Sequence, residues 1–145
     1  PVRRSNRGFW LVAGTMLVAS VFLLVEIFVN FDTKDTIAHT QDSLRRAAAL
    51  AEDVRADGFS FDGADAAGLA DAAPSSRLVF LDGDTPSAGL DEVSVAAEGD
   101  EWGATVRARP GACFYLHLTG DGQTLYGVGT DCRGTAALEA TDDRW

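Results

Sequence analysis

The chain has 145 residues, which suits one domain of ordinary size and argues against two separate hydrophobic cores. Its 22 acidic residues outnumber its 12 basic ones, giving a net charge of −10. Phosphate would be repelled by such a surface, so the charge argues against nucleic-acid binding. The hydrophobic content of 46% exceeds what a disordered chain contains.

The most uneven feature is an apolar run from Phe9 to Val29, interrupted only by Glu26. As a helix it would be about 31 Å long, close to the thickness of a bilayer's hydrocarbon core. It is longer than the hydrophobic region of a signal peptide, and no small-residue cleavage site follows it. We therefore predict that residues 9–30 form a retained transmembrane helix.

The flanks of this run predict its orientation. Arg3, Arg4 and Arg7 precede it without an acidic residue, whereas Asp32 and Asp35 follow it. The positive-inside rule places residues 1–8, a basic leader, in the cytoplasm and everything after Asn30 outside. The expectation is a single-pass protein of the cytoplasmic membrane with its C-terminal domain outside.

Glu26 has two interpretations, because a charge within a bilayer is expensive. It lies one turn from the predicted outer boundary, so it could reach the interface or become protonated. Alternatively, it contacts a partner helix of a neighbouring subunit.

Helical periodicity resumes after the apolar run. Residues 33–56 contain no glycine or proline, and apolar residues including Leu44, Ala48 and Ala51 recur at helical spacing. Asp57-Gly58 provides a stop signal. Residues 31–56 are therefore predicted to be an amphipathic continuation of one long helix, with a break near Asp32 left open.

Residues 57–145 change to a period of two. Alternating segments separated by turn-forming residues predict short strands, namely Arg77–Leu81, Glu92–Ala96, Trp102–Ala108, Ala112–Leu118 and Thr124–Val128. Turn-length links predict an antiparallel meander. The expected fold class is α+β, with the long helix packed on a small antiparallel sheet.

Cys113 and Cys132 are the two cysteines of the chain. The predicted topology places both outside the membrane, where thiols oxidise, so we expect a structural disulfide. It would hold the C-terminal segment against the strand that contains Cys113. The alternative is a metal site with His39 or His117, for which the cysteines lack the usual close spacing.

Motifs for catalysis are missing from the sequence. No serine lies in a nucleophile elbow, and no phosphate-binding glycine loop occurs. His39 and His117 are best interpreted as structural or surface residues. We therefore predict no enzyme activity, no cofactor and no metal site, with calcium binding at the acidic loop from Asp82 to Asp91 left open.

The order of these features resembles type IV pilins and the related pseudopilins of type II secretion. The resemblance covers most of residues 33–138 and depends on short runs: Leu78-Val79-Phe80-Leu81-Asp82-Gly83, Glu92-Val93-Ser94-Val95, Gly111-Ala112-Cys113-Phe114-Tyr115-Leu116 and Thr124-Leu125-Tyr126-Gly127 before Cys132. It implies a pilin-like domain at 57–145 and leader cleavage between Gly8 and Phe9.

The N-terminus departs from the family pattern. Pilins carry a glutamate at the fifth position after cleavage, which here is Ala13. The resemblance therefore implies a minor pilin or pseudopilin of a type IV pilus or type II secretion-like assembly. The alternative is an accessory subunit of another membrane complex, such as an energy-transducing or transport assembly. Either way, the expected partners are the bilayer and other membrane-embedded subunits, with neither nucleic acid nor a small-molecule substrate.

Overall fold

The computed structural model describes residues 33–56, 58, 60–109 and 111–145. The chain divides into two compact units, Pro1–Asp35 and Thr36–Trp145. Residues 33–35 are the described part of the first unit. The predicted segments 1–8 and 9–30 lie outside the described residues.

Residues 33–56 are helical, as the periodicity predicts, and we name this range α1. Its run of alanines favours a helix, and the described part contains no glycine or proline to interrupt it. Leu44, Ala47 and Ala51 on one side of α1 are fully buried, whereas Arg45 and Arg46 are exposed. α1 is therefore amphipathic and packs its apolar stripe on the domain core.

A second, short helix follows a loop. α2 spans Ala66–Ala72, and the side chain of Asp65 caps it by accepting a hydrogen bond from the Gly68 N–H at 2.8 Å. Such a cap satisfies one of the backbone donors that a helix start leaves unpaired. Leu69 is the buried residue of α2, and it joins the same core as α1.

Five strands form one sheet in the order β1-β2-β3-β4-β5. Their bounds are close to the predicted segments: β1 Val79–Asp82, β2 Glu92–Glu98, β3 Glu101–Arg109, β4 Ala112–Leu118 and β5 Thr124–Gly129. The last four strands pair antiparallel with their neighbours, which confirms that part of the prediction.

The predicted all-antiparallel meander is wrong at its first strand. β1 pairs parallel with β2, with Phe80 opposite Val93. The connection over residues 83–91 is not a hairpin turn: it returns to the start of β2, where the Asp91 carbonyl accepts a hydrogen bond from the Val79 N–H at 2.8 Å. The sheet is therefore mixed, and the fold is α+β.

The core lies between α1 and one face of the sheet, which we call the helix face. Trp102 and Phe61 are its largest fully buried side chains, and the Trp102 indole N–H donates to the Ala64 carbonyl at 2.9 Å. Val93, Val95, Val106 and Leu116 fill the space beneath α1. Burial of these apolar side chains is the main stabilising term for the arrangement.

The chain after β5 covers the opposite face, which we call the back face. A short helix, α3, spans Gly134–Ala137 and packs on β2, β3 and β4. Beyond it, Asp142 pairs with Tyr126 at the outer edge of β5. Trp145 then packs beside the core on the helix face: its ring centroid is 4.3 Å from that of Tyr126, and its indole N–H donates to the Tyr115 carbonyl at 2.8 Å.

Candidate functional site

Cys113 and Cys132 form a disulfide, as predicted. Their Cα atoms are 5.2 Å apart, and both residues are buried. Cys113 belongs to β4, and Cys132 lies between β5 and α3. The bond therefore attaches the C-terminal segment to the back face of the sheet.

Glycines allow this segment to approach the sheet at backbone distance. A Cβ atom added to Gly134 would lie 2.7 Å from the Val95 carbonyl carbon, and one added to Gly103 would lie 2.9 Å from the Gly134 carbonyl oxygen. Side chains at these positions would collide with backbone rather than with movable groups. Only glycine therefore allows α3 to lie flat on β2 and β3.

Hydroxyl groups on the back face bind the C-terminal segment. The Thr105 hydroxyl donates to the Arg133 carbonyl at 2.8 Å, and the Ser94 hydroxyl accepts from the Gly134 N–H at 2.8 Å. Both hydroxyls are buried. They satisfy backbone groups that would otherwise be buried without partners.

The connection between β1 and β2 joins the same network through Ser87. Its N–H donates to the Cys132 carbonyl at 2.8 Å, and its hydroxyl donates to the Glu92 carbonyl at 2.7 Å. The hydroxyl oxygen also accepts from the Arg107 N–H at 3.0 Å. With four hydrogen-bond partners, the Gly89 carbonyl included, and 1% exposure, Ser87 is a structural residue.

The two histidines lie in different surroundings, one exposed and one buried. His39 on α1 is exposed, and its Nε2 lies 2.8 Å from the Asp91 carboxylate. His117 on β4 is 5% exposed, with Nδ1 3.4 Å from the Ala140 carbonyl and Nε2 3.5 Å from Glu101. No serine, cysteine or second histidine joins either ring in the contacts of the described residues.

Carboxylates in and beside the acidic loop accept hydrogen bonds from nearby backbone N–H groups. The Asp82 carboxylate accepts from the Asp84 N–H at 3.1 Å, and Glu92 accepts from the Ala88 N–H at 2.9 Å. Across the described ranges, no cluster of three or more His, Cys, Asp or Glu side chains is arranged to hold a metal ion. The Asp82 and Glu92 carboxylates therefore stabilise the turns of the loop.

A depression of about 400 Å³ lies between β5 and the C-terminal segment. Tyr115 lines it, and its hydroxyl donates to the Asp131 carbonyl at 2.8 Å. Burial, together with the charges of Asp131 and Glu139, raises the pKa of Tyr115 above its ordinary value of 10.0. The phenol is therefore a hydrogen-bond donor that orders the wall of the depression, and not a base.

Several predicted site residues fall outside the described part of the chain. Gly8 and Phe9, the expected cleavage pair, are among them, as is Glu26. The predicted span from Phe9 to Val29 lies there too. Among the described residues, no helix combines the length and the hydropathy that crossing a bilayer requires.

Two features of the back face were not predicted from the sequence, the close approach at Gly103 and the packing of Tyr115 on the glycines of β5. Gly103 interrupts an otherwise alternating strand, which is a signal for close backbone approach. Gly127 and Gly129 on β5 lie beneath the Tyr115 ring, and a Cβ on Gly129 would be 2.3 Å from its hydroxyl oxygen. The packing of Tyr115 over the β5 glycines is harder to recognise in the sequence, because the tyrosine belongs to a different strand.

Comparison with known proteins adds no assignment: no family model, no curated protein and no solved structure matches this chain.

Proposed function

We propose that this chain is a non-enzymatic, single-pass membrane protein with a pilin-like domain outside the cytoplasmic membrane. Its function is that of a structural subunit, a minor pilin or pseudopilin of a type IV pilus or type II secretion-like assembly. The segment from Phe9 to Val29 would contact the bilayer and other transmembrane helices, and the domain over residues 57–145 would form lateral contacts.

The observation that carries the proposal is the position of α1. Its described part begins at residue 33, four residues after the apolar run ends, and continues as the helix that fills the core. Leu44, Ala47 and Ala51 on this helix are fully buried. A helix that continued from a membrane segment into a folded core would couple the domain mechanically to its anchor, as a subunit of an assembly requires.

The back face supports the proposal in a second way. The disulfide, Ser87 and the Gly134 contact together hold the C-terminal segment on the sheet. Disulfides form and persist outside the cytoplasm. A fixed, oxidised surface suits a subunit that makes lateral protein contacts.

The rival candidate is an accessory subunit of another multi-subunit membrane complex. Two sequence features favour it: Ala13 stands where pilins carry a glutamate, and Glu26 lies inside the apolar run. In this alternative, Glu26 pairs with a polar group on a partner helix, and no filament is formed.

Mapping of the N-terminal peptide, on protein purified from its native membrane, separates the two candidates. Pilin-type processing predicts a chain that starts at Phe9, and Gly8→Val should abolish that product whereas the control Gly14→Ala should retain it. Retention of the residues before Phe9 in the native protein would contradict the pilin-type assembly and support the accessory subunit. Copurified proteins from Glu26→Leu should then be fewer than from the native chain.

A further inference from the structure

Charge is distributed unequally between the two ends of the sheet. The near end is the end at which α1 begins: His39 contacts Asp91 there, just before β2 starts. The far end is the end at which α1 finishes, where the Arg55 guanidinium donates to the Gly120 carbonyl at 3.0 Å. Because the strands run between these ends, each turn between two antiparallel strands lies at either the near end or the far end.

The far end is acidic. The turns that join β2 to β3 and β4 to β5 meet there, since a Cβ on Gly120 would lie 2.8 Å from the Asp100 side chain. The Gly99 N–H in the first of these turns donates to the Asp62 carboxylate at 3.2 Å. Carboxylates cluster around this contact, namely Asp62, Glu98, Asp100, Glu101 and Asp121.

Three arginines at the near end have no acidic partner among the described residues. Residues 36–145 contain eight arginines against nineteen Asp and Glu, so pairing would be expected for each of them. Among the described residues, Arg45 instead packs on the Trp145 ring, and four arginines lie within 4.0 Å of a carboxylate, namely Arg46, Arg55, Arg133 and Arg144. The three that remain are Arg77 before β1 and Arg107 and Arg109 at the end of β3.

These three arginines lie at the same end for two reasons. β1, which follows Arg77, starts beside the start of β2. β3 runs antiparallel to β2, so its last residues also lie beside the start of β2. Arg77 and Arg109 are exposed. The Nε atom of Arg107 is buried and has no hydrogen-bond partner among the described residues. The near end therefore contains a positively charged side chain with one donor that no described residue satisfies.

Three carboxylates of the described residues at the near end already have partners. Asp91 contacts His39 at 2.8 Å, the Glu92 carboxylate accepts from the Ala88 N–H, and Asp131 lies 3.7 Å from Arg133. They therefore leave the three arginines available to a group from outside the domain.

Exposed apolar side chains occur at the same end. Within the described part of the chain, the large hydrophobic residues that are exposed are Val79 at 53% and Val128 at 58%. Val79 opens β1 beside Asp91, and Val128 precedes the last residue of β5. A surface of arginines and single apolar side chains suits the headgroup region of a membrane, where both kinds of side chain are accommodated.

We infer that the near end docks on the anionic lipid headgroups of the membrane that anchors the chain. The inference rests on the proposed function, because α1 leads back along the chain to the apolar segment. Anionic headgroups attract Arg77, Arg107 and Arg109 and repel the acidic far end. The domain therefore stands on the bilayer with its far end directed away from it, available to partners.

The test uses the full chain reconstituted in vesicles of phosphatidylcholine, with or without phosphatidylglycerol. A maleimide dye is attached at Val79→Cys or, as the matched far-end control, at Asp121→Cys. Cys113 and Cys132 do not react, because they are joined in a disulfide. Quenching by a lipid with a spin-labelled headgroup then reports contact between each end and the membrane surface.

We expect quenching at residue 79 to rise severalfold when phosphatidylglycerol is added, while quenching at residue 121 stays low. Each arginine near an anionic surface should raise the population of the docked state about fivefold. The double variant Arg77→Gln/Arg109→Gln should therefore lose the response to phosphatidylglycerol, as should high salt. The charge-matched control Arg46→Gln/Arg144→Gln should keep it.

Equal quenching in both lipid compositions, or an equal loss in the two double variants, would overturn the docking inference. Flotation of the vesicles after carbonate extraction reports separately on the membrane anchor. A chain that does not float with the vesicles would contradict the proposed function itself. A chain that floats without arginine-dependent quenching would contradict the docking alone.

Discussion

The two faces of the sheet are held by different physical means. On the helix face, large apolar side chains such as Trp102 and Leu116 are buried beneath α1. On the back face, Gly103 and Gly134 bring backbone to backbone, and Thr105 and Ser94 bind carbonyl and N–H groups directly. Side-chain volume stabilises the first face, and close approach with polar satisfaction stabilises the second.

This difference shows why the faces tolerate change differently. Apolar packing is non-directional, so similar side chains can replace one another at modest cost. A contact between backbones has no such freedom, because any added atom must displace a strand or a helix. The back face therefore depends on a few positions, and the disulfide between Cys113 and Cys132 secures them together.

The strongest break of the helix face is Trp102→Ala. It removes the largest fully buried side chain and should lower the free energy of unfolding by about 3–5 kcal/mol. Trp102→Phe keeps most of the apolar volume and loses the hydrogen bond to the Ala64 carbonyl, so its loss should be smaller. Equal losses in urea unfolding would mean that the indole hydrogen bond, and not the packing, dominates this face.

Loss of the disulfide should be the largest break of the back face. Cys113→Ser/Cys132→Ser opens a loop with a sequence separation of 19 residues. The chain-entropy model predicts a loss of about 3 kcal/mol. Hydrogen exchange should rise first at Gly134 and Thr135, whose N–H groups bind the sheet side, while α1 stays protected. An unchanged unfolding midpoint would show that the disulfide does not stabilise the back face.

Gly134→Ala tests the close approach with a single methyl group. The added carbon would lie 2.7 Å from the Val95 carbonyl carbon, so α3 must move. Strain of this kind costs about 1–3 kcal/mol. Gly89→Ala is the control, because its added carbon would meet its nearest atom at 3.9 Å. If both variants unfold at the same denaturant concentration, the contact between α3 and the sheet is looser than described.

The smallest expected effect is a pH dependence from Tyr115. Burial, followed by the charges of Asp131 and Glu139, raises the pKa of its phenol in the folded state. Its contribution to stability is therefore fully present below pH 10 and is lost as the pH rises through the folded-state pKa. Tyr115→Phe should flatten the alkaline side of the stability curve, measured by urea unfolding between pH 8 and 11. A curve of unchanged shape would contradict the assignment.

The sequence predicts the helix face well because its signals are local. Periodicity in residues 33–56 and alternation in β2 to β5 identify the elements and their buried sides. The parallel direction of β1 could not be predicted, since it depends on contacts of Ser87 with Cys132 and Arg107 that are distant in sequence.

The back face was predictable only at its disulfide. Gly134 and Thr135 carry no periodic signal, and their hydrogen-bond partners, Ser94 and Gly83, lie about 40 or more residues earlier in the chain. At the edge of the helix face, Trp145 likewise contacts Tyr126 and the Tyr115 carbonyl only once the sheet has formed. Contacts of this kind arise from tertiary structure and leave no pattern in the local sequence.

We propose a membrane-anchored chain whose domain folds outside the cytoplasm and is stabilised there by the Cys113–Cys132 disulfide. Differential alkylation of acid-quenched cells, followed by fractionation and mass spectrometry of Cys113 and Cys132, tests it most directly. The account predicts that the protein is in the membrane fraction and that both cysteines are protected until a reductant is added. Recovery in the soluble fraction, or two freely alkylated thiols in the native membrane, would contradict it.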